Sequence, residues 1–322
     1  MVEALNLLPE NLQPPRRMYN RAQRRWSREQ HVVGITIDAG AVRAAHVIRS
    51  KGAPATLARV HHEPLPSAVF SDGSVNESGR ILDPAPVTAS IRAAMHDLTA
   101  HGCSSHARVV LGVSGHRVIL KKISLPEMTA GEMRESIAWE AEQYIPYAME
   151  DVYLAHRMLD TSIADGQRDV MLAAVKKSHI NDLLACAHAA GITPDVIEPV
   201  EWAIQRYIAA SRSSDDMKGC IATIVADAGS TTLTITHSGT IAFARTIMLG
   251  TNLTVEEIQR VRSCSVDEAR LFFDTIIGDD RVSPEQATDG DDTEVRTIVR
   301  RMSALAASEI QRSLDFFAAT TE

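Results

Sequence analysis

Two polar turns stand out in the hydrophobic pattern because each has apolar, β-branched runs on both sides. The runs cover 32–37 and 41–48 around the first turn, and 221–226, 233–236 and 241–249 around the second. Such runs, bounded by Gly, Asp and Ser, are typical of strands joined by short connections. Both turns begin Asp-Ala-Gly, at Asp38 and at Asp227. The pattern therefore predicts two strand–turn–strand units that share a motif although they lie far apart in the chain.

Apolar residues at helical spacing predict helices elsewhere, near 87–98, 178–190, 255–261 and 295–317. The last of these is expected to turn six apolar side chains inward: Ile298, Met302, Leu305, Ile310, Leu314 and Phe317. Strands are predicted from Thr56 up to Pro64, on both sides of a turn within 108–126, and over 169–176. Strands that alternate with helices in this way indicate an α/β protein.

A further helix has a clear start at Thr129, where Thr129 and Glu132 have the spacing of a capping box. In that arrangement the hydroxyl and the carboxylate accept first-turn N–H groups. The helix places Met133, Ile137, Ala141 and Tyr144 on one apolar stripe, and Pro146 ends it.

The second turn has the chemistry of a phosphate-binding loop. Gly229 lets the backbone approach an anion, and Ser230, Thr231 and Thr232 offer hydroxyl donors. Asp227 can hold a hydrated Mg²⁺ beside the phosphates, because this ion keeps most of its waters and takes few carboxylates. An ordinary hairpin with a polar turn would contain the same residues. The second copy at Asp38 is what favours a nucleotide site.

Composition limits the function classes. The chain has 322 residues, 45% of them hydrophobic, which is enough for one large or two medium domains. A net charge of -8 argues against nucleic-acid binding as the main role and favours protein or small-molecule partners. No apolar run has the length of a spanning helix and the beginning lacks a signal-peptide core, so we expect a cytoplasmic chain. Four cysteines without paired spacing predict reduced, mostly buried thiols and no zinc site: Cys103, Cys186, Cys220 and Cys264.

Contiguous motifs carry a resemblance to a known family. The run Trp139-Glu-Ala-Glu-Gln-Tyr-Ile-Pro-Tyr147 closely resembles the EAEQYIPF signature of the PilM family of type IV pilus assembly proteins, and Glu309–Leu314 resembles a second element of that family. The two Asp-Ala-Gly units are similar to the phosphate-1 and phosphate-2 loops of the actin-like ATPase superfamily, to which PilM belongs. The resemblance covers about residues 30–318. It implies an α/β, actin-like (ribonuclease H-like) two-lobed fold with a small inserted subdomain.

The resemblance also implies site residues and cofactors. ATP and Mg²⁺ are the expected ligands. The first loop would contribute Asp38, Gly40 and Arg43 to the nucleotide site, and the second would contribute Asp227, Gly229, Ser230, Thr231, Thr232 and Gly250. Asp38 and Asp227 would both hold the metal through its bound water. Glu198, before Pro199, is the candidate that orients the attacking water, although an acid at a helix N-terminus would explain it equally well.

Three departures from the family pattern predict weak nucleotide binding and at most a weak ATPase. The first loop lacks the usual run of hydroxyls and has Arg43 where Lys is common. Thr251 and Asn252 replace a glycine and a carboxylate after Gly250. The sequence also stops at Glu322, before the adenosine-binding loop that closes actin-like sites, so we expect lobe 2 to be incomplete.

The first thirty residues differ from the rest. Asn6-Leu7-Leu8-Pro9 resembles the cytoplasmic N-terminal segment of PilN, a single-span membrane protein, and six arginines follow it within 16–28. A frayed basic tail would explain the arginines but not the apolar residues. We therefore expect a docking peptide that binds the chain's own groove or that of a neighbouring copy. The groove is implied to lie between the inserted subdomain and the one carrying the first phosphate loop.

The predicted organisation is thus a docking peptide and basic linker over 1–30, lobe 1 over 31–199 with an insertion at about 108–175, and lobe 2 over 200–322. The expected function is a cytoplasmic scaffold, peripheral to the inner membrane, which binds a PilN-like partner in pilus assembly. Self-association through the N-terminal peptide is a further expectation. The alternatives are a Mg-ATP hydrolase or kinase, and the equivalent scaffold of type II secretion or a division-type filament.

Overall fold

The computed structural model of the chain describes residues 29–38, 40–65, 81–113, 117–159, 167–212, 219–278 and 290–321. The predicted docking residues Asn6, Leu7, Leu8 and Pro9 lie outside this set. By its internal contacts the chain divides into two compact units, Met1–Ile221 with Ile235–Ala244, and Ala222–Thr234 with Arg245–Glu322. The lobe and insertion boundaries given above stay predictions.

The described residues form eleven strands and seven α-helices. The strands are β1 (Glu29–Ile37), β2 (Ala41–Ser50), β3 (Thr56–Pro64), β4 (Arg108–Val113), β5 (Val118–Pro126), β6 (Val152–Met158), β7 (Gln167–Lys176), β8 (Val196–Pro199), β9 (Cys220–Ala226), β10 (Thr231–His237) and β11 (Thr240–Ile247). The helices are α1 (Pro84–Ala100), α2 (Ala130–Glu142), α3 (Lys177–Ala189), α4 (Val200–Ser211), α5 (Thr251–Arg262), α6 (Val266–Gly278) and α7 (Gly290–Thr321). Both predicted strand–turn–strand units are confirmed.

The first unit is built on a five-stranded sheet of order β3-β2-β1-β4-β8. The first three strands are antiparallel neighbours, whereas β4 runs parallel to β1 and β8 runs parallel to β4. Alternation along β1 buries Val33, Ile35 and Ile37. They join one core with apolar residues of α1 and α3, including Ile91 and Ile180. Burying each such side chain contributes about 1.5–3 kcal/mol, so this core dominates the stability of the unit.

A separate antiparallel sheet of order β5-β7-β6 packs against α2. The predicted capping box is confirmed, since Glu132 accepts the Thr129 N–H at 2.9 Å and Thr129 Oγ1 accepts the Glu132 N–H at 3.4 Å. The predicted apolar stripe was wrong at one position. Tyr144 is 41% exposed, because α2 ends at Glu142 and the chain then turns so that Ile145 takes the buried place.

The remaining sheet has the order β11-β10-β9. In the second unit, α5, α6 and α7 pack together around Val255, Ile258, Ala269, Val295 and Ile298. Among the described residues, no helix combines the length and hydrophobicity that crossing a bilayer requires.

The inward stripe predicted for the last helix was wrong at Leu305, which is 44% exposed. After Met302 the next partly buried position is Ala306, four residues later, so Leu305 lies outside the packed face. A helix turns about 100° per residue, and this small offset is enough to move a side chain off the packed face.

Candidate functional site

The first candidate loop follows β1 and is folded by the carboxylate of Asp38. Its Oδ1 accepts the N–H groups of Gly40 at 2.8 Å and Ala41 at 3.0 Å, and the Asp38 N–H donates to the Ala41 carbonyl at 3.1 Å. The Arg43 guanidinium, projecting from β2, forms an ion pair with Oδ2. Asp38 is buried and Arg43 is about half exposed. The charge of the Asp38 carboxylate is therefore already balanced by Arg43, from the strand that follows the loop.

The second candidate loop, between β9 and β10, repeats this arrangement. Asp227 Oδ1 accepts the N–H groups of Gly229 at 2.9 Å and Ser230 at 2.7 Å, and the Asp227 N–H donates to the Ser230 carbonyl at 2.9 Å. The outer oxygen, Oδ2, receives only a long contact of 3.5 Å from the Ser230 hydroxyl within the described residues. Asp227 therefore has a carboxylate oxygen that fits the role of accepting a hydrogen bond from a Mg²⁺-bound water.

The three hydroxyls of the second loop are engaged inside the protein. Thr231 Oγ1 donates to the Leu249 carbonyl at 2.6 Å, and Thr232 Oγ1 pairs with Thr246 Oγ1 at 3.2 Å. Ser230, Thr231 and Thr232 are all buried. The hydrogen bonds of Thr231 and Thr232 tie this part of the chain to Leu249 and to Thr246 of β11. A phosphate would meet the backbone of this loop and would have to draw these hydroxyls away from their present partners.

Gly250 has a structural reason for being glycine. It precedes α5, whose first N–H groups bind the second loop: Thr251 donates to the Asp227 carbonyl at 3.0 Å and Asn252 to the Ala228 carbonyl at 2.9 Å. A Cβ placed on Gly250 would lie 2.3 Å from the Ala228 carbonyl oxygen. The close approach of these two backbones therefore requires Gly250.

Glu198 lies in β8, is buried, and forms an ion pair with Arg206 of α4. Its second oxygen, Oε2, has no hydrogen-bond partner among the described residues. A buried carboxylate oxygen that lacks a donor is costly, and a water molecule is the simplest group that would satisfy it. Glu198 thus fits the orientation of a water molecule, because Arg206 pairs with one of its oxygens and Oε2 is left to accept a hydrogen bond.

The sheet topology brings Asp38 and Glu198 to one edge. Strands β1, β4 and β8 are parallel, with Thr36 level with Gly112 and Gly112 level with Glu198. Two strand spacings separate β1 from β8, which is about 10 Å. Ligands of open α/β sheets bind at the carboxyl ends of such strands. Gly112 lies between these two strands and has no room for a side chain, since a Cβ there would meet the Thr36 and Val200 methyl groups at 2.8 and 2.9 Å.

Sequence reasoning missed Gly112 and Arg206, which have no local motif and are recognised only once the strand register is known. Within the first unit the structure brings together Asp38, Gly40, Arg43 and Glu198; within the second it brings together Asp227, Gly229, Ser230, Thr231, Thr232 and Gly250. The sharing of one Mg²⁺ by Asp38 and Asp227 joins residues of different units and stays a prediction.

Comparison with known proteins decides the family. A family model described as "Type IV pilus assembly protein PilM" matches residues 34–322. The chain belongs to the PilM family. The structure of a PilM-PilN type IV pilus biogenesis complex matches it with a TM-score of 0.73, at 23% identity over 90% of this chain and 78% of that one. The predicted family and the predicted α/β, actin-like fold class are both confirmed.

More distant solved structures are similar to this PilM-family chain. One is the ethanolamine utilization protein EutJ from Carboxydothermus hydrogenoformans, with a TM-score of 0.48 at 12% identity, covering 96% of this chain and 74% of that one. Another is MreB5 of Spiroplasma citri bound to ADP, with a TM-score of 0.43 at 14% identity, covering 88% of this chain and 79% of that one.

Proposed function

We propose that this PilM-family protein is a cytoplasmic scaffold of the type IV pilus assembly platform, peripheral to the inner membrane, which binds the N-terminal segment of a PilN-like membrane protein. The observation that carries the proposal is the family match over 34–322. The similarity to PilM in a PilM–PilN complex supports the choice of partner.

A surface of suitable chemistry lies in the subdomain of β5, β6, β7 and α2. Trp139 is 67% exposed, and Tyr144 and Tyr147 are 41% and 39% exposed. Lys121 Nζ lies 4.9 Å from the centre of the Tyr144 ring, and Lys176 Nζ lies 4.1 Å from that of Tyr147. We call Trp139, Tyr144 and Tyr147 the aromatic surface. Exposed aromatic rings edged by charged side chains are typical of sites that bind apolar peptides.

The peptide we propose for this surface is extended and apolar, of the Asn-Leu-Leu-Pro type. This chain has such a segment of its own at 6–9, which would compete with an external peptide. Two leucines and a proline can bury their side chains against aromatic rings while the backbone stays extended. A peptide carried on the same chain is present at a high effective concentration, so any binding test must first disable it.

We further propose that Mg-ATP is a structural ligand of this protein. When bound, it would supply the charge of its phosphates and metal. Asp227 would hold a metal-bound water, Arg43 would turn from Asp38 to a phosphate oxygen, and Glu198 would orient a water at the sheet edge. We prefer the scaffold to the ATP hydrolase or kinase alternative because the first loop lacks the usual run of hydroxyls.

The direct test is binding of a fluorescent peptide of residues 5–17 to a full-length chain carrying Leu7→Asp and Leu8→Asp. Fluorescence anisotropy should show saturable binding. Trp139→Ala in that background should weaken it by about 2 kcal/mol, which is about 30-fold, because aromatic anchors dominate such interfaces.

The matched control is Tyr207→Ala, which removes an aromatic ring that is 72% exposed but lies on α4. This variant should bind the peptide like the parent. Absence of binding at high protein concentration, or equal losses for Trp139→Ala and Tyr207→Ala, would reject the proposed docking surface.

A further inference from the structure

Three potential metal ligands lie together in the first unit, away from the two aspartate loops. They are His31 of β1, His46 of β2 and Cys103, which follows α1. One ligand atom from each lies within 4.8 Å of the other two. His46 and Cys103 are buried and His31 is half-buried. We call these residues the His–His–Cys cluster.

The register of the hairpin places the two histidines side by side. Val33 is paired with His46, and His31 lies two residues before Val33, so both rings project from the same face of the sheet. This is the face that packs against α1, since Val33 is part of that core. The two rings are stacked, with 16° between their planes and 5.0 Å between their centroids. His31 Nδ1 and His46 Nε2 are 2.8 Å apart.

The end of α1 holds the cysteine at a defined place. Gly102 has a positive φ of 89°, and its N–H donates to the Thr99 carbonyl at 3.1 Å. The Cys103 N–H donates to the Leu98 carbonyl at 3.0 Å, which completes a Schellman motif. The backbone of Cys103 is therefore locked to the helix end, and its thiol donates a hydrogen bond to the Ser104 carbonyl at 3.7 Å.

Simple packing does not explain every polar atom of this cluster. The two facing nitrogens share one hydrogen bond, which satisfies His31 Nδ1 and His46 Nε2. The other nitrogen of the fully buried His46, Nδ1, has no hydrogen-bond partner among the described residues. If one nitrogen of His46 binds a metal ion, a bond to the ion replaces the 2.8 Å contact with His31, and the ring carries its proton on the other nitrogen.

We propose that His31, His46 and Cys103 bind a divalent transition-metal ion of the Zn²⁺ class. Two imidazoles and one thiolate are a ligand set that Zn²⁺ accepts in four-coordinate sites. Ideal Zn–N and Zn–S bonds place the ligand atoms ~3.3–3.7 Å apart, so the side chains would move by ~1 Å or less. His31 is half-buried, which leaves a side on which water can supply the fourth ligand.

The chemistry of binding balances without any oxidant or reductant. The Cys103 thiol loses one proton to solvent and binds as a thiolate. Each histidine binds as a neutral ring, with its single proton on the nitrogen that faces away from the metal. The bound ion would fasten the β1–β2 hairpin to the end of α1 and so stabilise the sheet that carries Asp38. This inference is independent of peptide and nucleotide binding.

The site differs from what the cysteine spacing predicts, which is reduced, mostly buried thiols and no zinc site. Two of the four thiols, Cys103 and Cys186, are buried, whereas Cys220 is exposed and Cys264 is intermediate. The two histidines lie far from Cys103 in sequence, and no short motif joins them.

The test is titration of the tag-free, chelator-treated full-length protein with Co²⁺ and then Zn²⁺. Wild type should bind one Co²⁺ per chain, with the sulfur-to-metal charge-transfer band and the visible bands of a four-coordinate thiolate site, and Zn²⁺ should remove both. Cys103→Ser should lose the charge-transfer band. His31→Gln, a change at a half-buried position, should lose one-to-one binding.

Two matched variants control for general damage. Cys186→Ser removes a buried thiol from the same core, and His62→Gln removes an exposed imidazole from β3. Both should keep the wild-type spectrum. The proposal is overturned if wild type shows no charge-transfer band with equimolar Co²⁺, or if Cys103→Ser retains it. Should Cys103→Ser fail to fold, the wild-type spectrum and His31→Gln still decide the question.

Discussion

Asp38 and Asp227 fold their loops by the same hydrogen bonds, but the outer oxygens of the two carboxylates have different surroundings. In the first loop that oxygen is paired with the Arg43 guanidinium. In the second, as far as the described part of the chain goes, it has only a 3.5 Å contact with the Ser230 hydroxyl. The two copies of the motif thus differ electrostatically. The Asp38 carboxylate is paired with Arg43 of β2, whereas the Asp227 carboxylate has an oxygen that can accept a hydrogen bond.

The two loops also differ in what supports them. The Gly40 carbonyl accepts the N–H of Leu65, from the chain beyond β3, at 2.9 Å. The second loop is held by two N–H groups of α5 and by the hydrogen bond of the Thr231 hydroxyl to the Leu249 carbonyl. The second loop is therefore the more rigid, and we infer that it contributes more to any nucleotide affinity.

The largest expected effect is on nucleotide binding. Asp227→Ala should abolish the heat of Mg-ATP binding in isothermal titration calorimetry, because the carboxylate both shapes the loop and holds the metal-bound water. Asp38→Ala should weaken binding by about 10-fold or less, about 1.4 kcal/mol, because it releases Arg43 to meet a phosphate. Equal calorimetric traces for wild type and Asp227→Ala would reject the proposal that Mg-ATP is a ligand of this protein.

The next effect in size tests the support of the second loop. Gly250→Ala should lower the free energy of unfolding by about 1–3 kcal/mol, because the new Cβ would overlap the backbone at Ala228. Chemical denaturation measures this loss. The control is Gly34→Ala in β1, where a Cβ meets nothing within 4 Å; it should be neutral or up to about 1 kcal/mol stabilising. Equal stability of the two variants would contradict the close approach.

The sequence predicted features whose cause is local. The Asp-Ala-Gly turns and the capping box at Thr129 rest on a few adjacent residues, and the structure has the hydrogen bonds that such residues make. The family followed from a contiguous motif at 139–147 for the same reason. Two elements without a strong local signal, β6 and α6, were not predicted.

Features that depend on tertiary register were beyond sequence reasoning. Tyr144 and Leu305 fit an apolar stripe on an ideal helix, but a helix end and a shift by one residue expose them. The partner of Glu198, Arg206, follows from the packing of α4 against β8. Hydroxyls that suit a phosphate, such as that of Thr231, also suit a neighbouring carbonyl, and only coordinates distinguish these two uses.

The smallest effect concerns acid stability of the helix that supports the second loop. Glu257 on α5 accepts two hydrogen bonds from Arg260 at 2.8 Å and pairs with Arg301, and Arg260 chiefly lowers its pKa to about 2. Because the pKa is lower in the folded state, the stabilisation is present above the unfolded value and is lost as pH falls through about 2. Glu257→Gln should therefore show a shallower loss of stability in urea titrations between about pH 5 and pH 2.

The counterpart in the first unit is Asp97, whose pKa is lowered to about 2, chiefly by its hydrogen bonds with Arg59 of β3. Asp97→Asn should flatten the same part of the pH profile. The side chains of Asp97 and Glu257 are 20% and 18% exposed, and solvent reaches and screens both ion pairs, so each change is small. Profiles identical to wild type would show that neither ion pair persists in solution.

Photo-cross-linking of the docking peptide would locate the surface that binds it. A peptide of residues 5–17 with a photoreactive group in place of the Leu8 side chain would be irradiated with the full-length Leu7→Asp, Leu8→Asp chain and mapped by mass spectrometry. We predict adducts in the subdomain of β5, β6, β7 and α2, centred on the aromatic surface, and their loss with excess unlabelled peptide. Adducts confined to residues 245–322, or none that unlabelled peptide displaces, would contradict a peptide-binding scaffold.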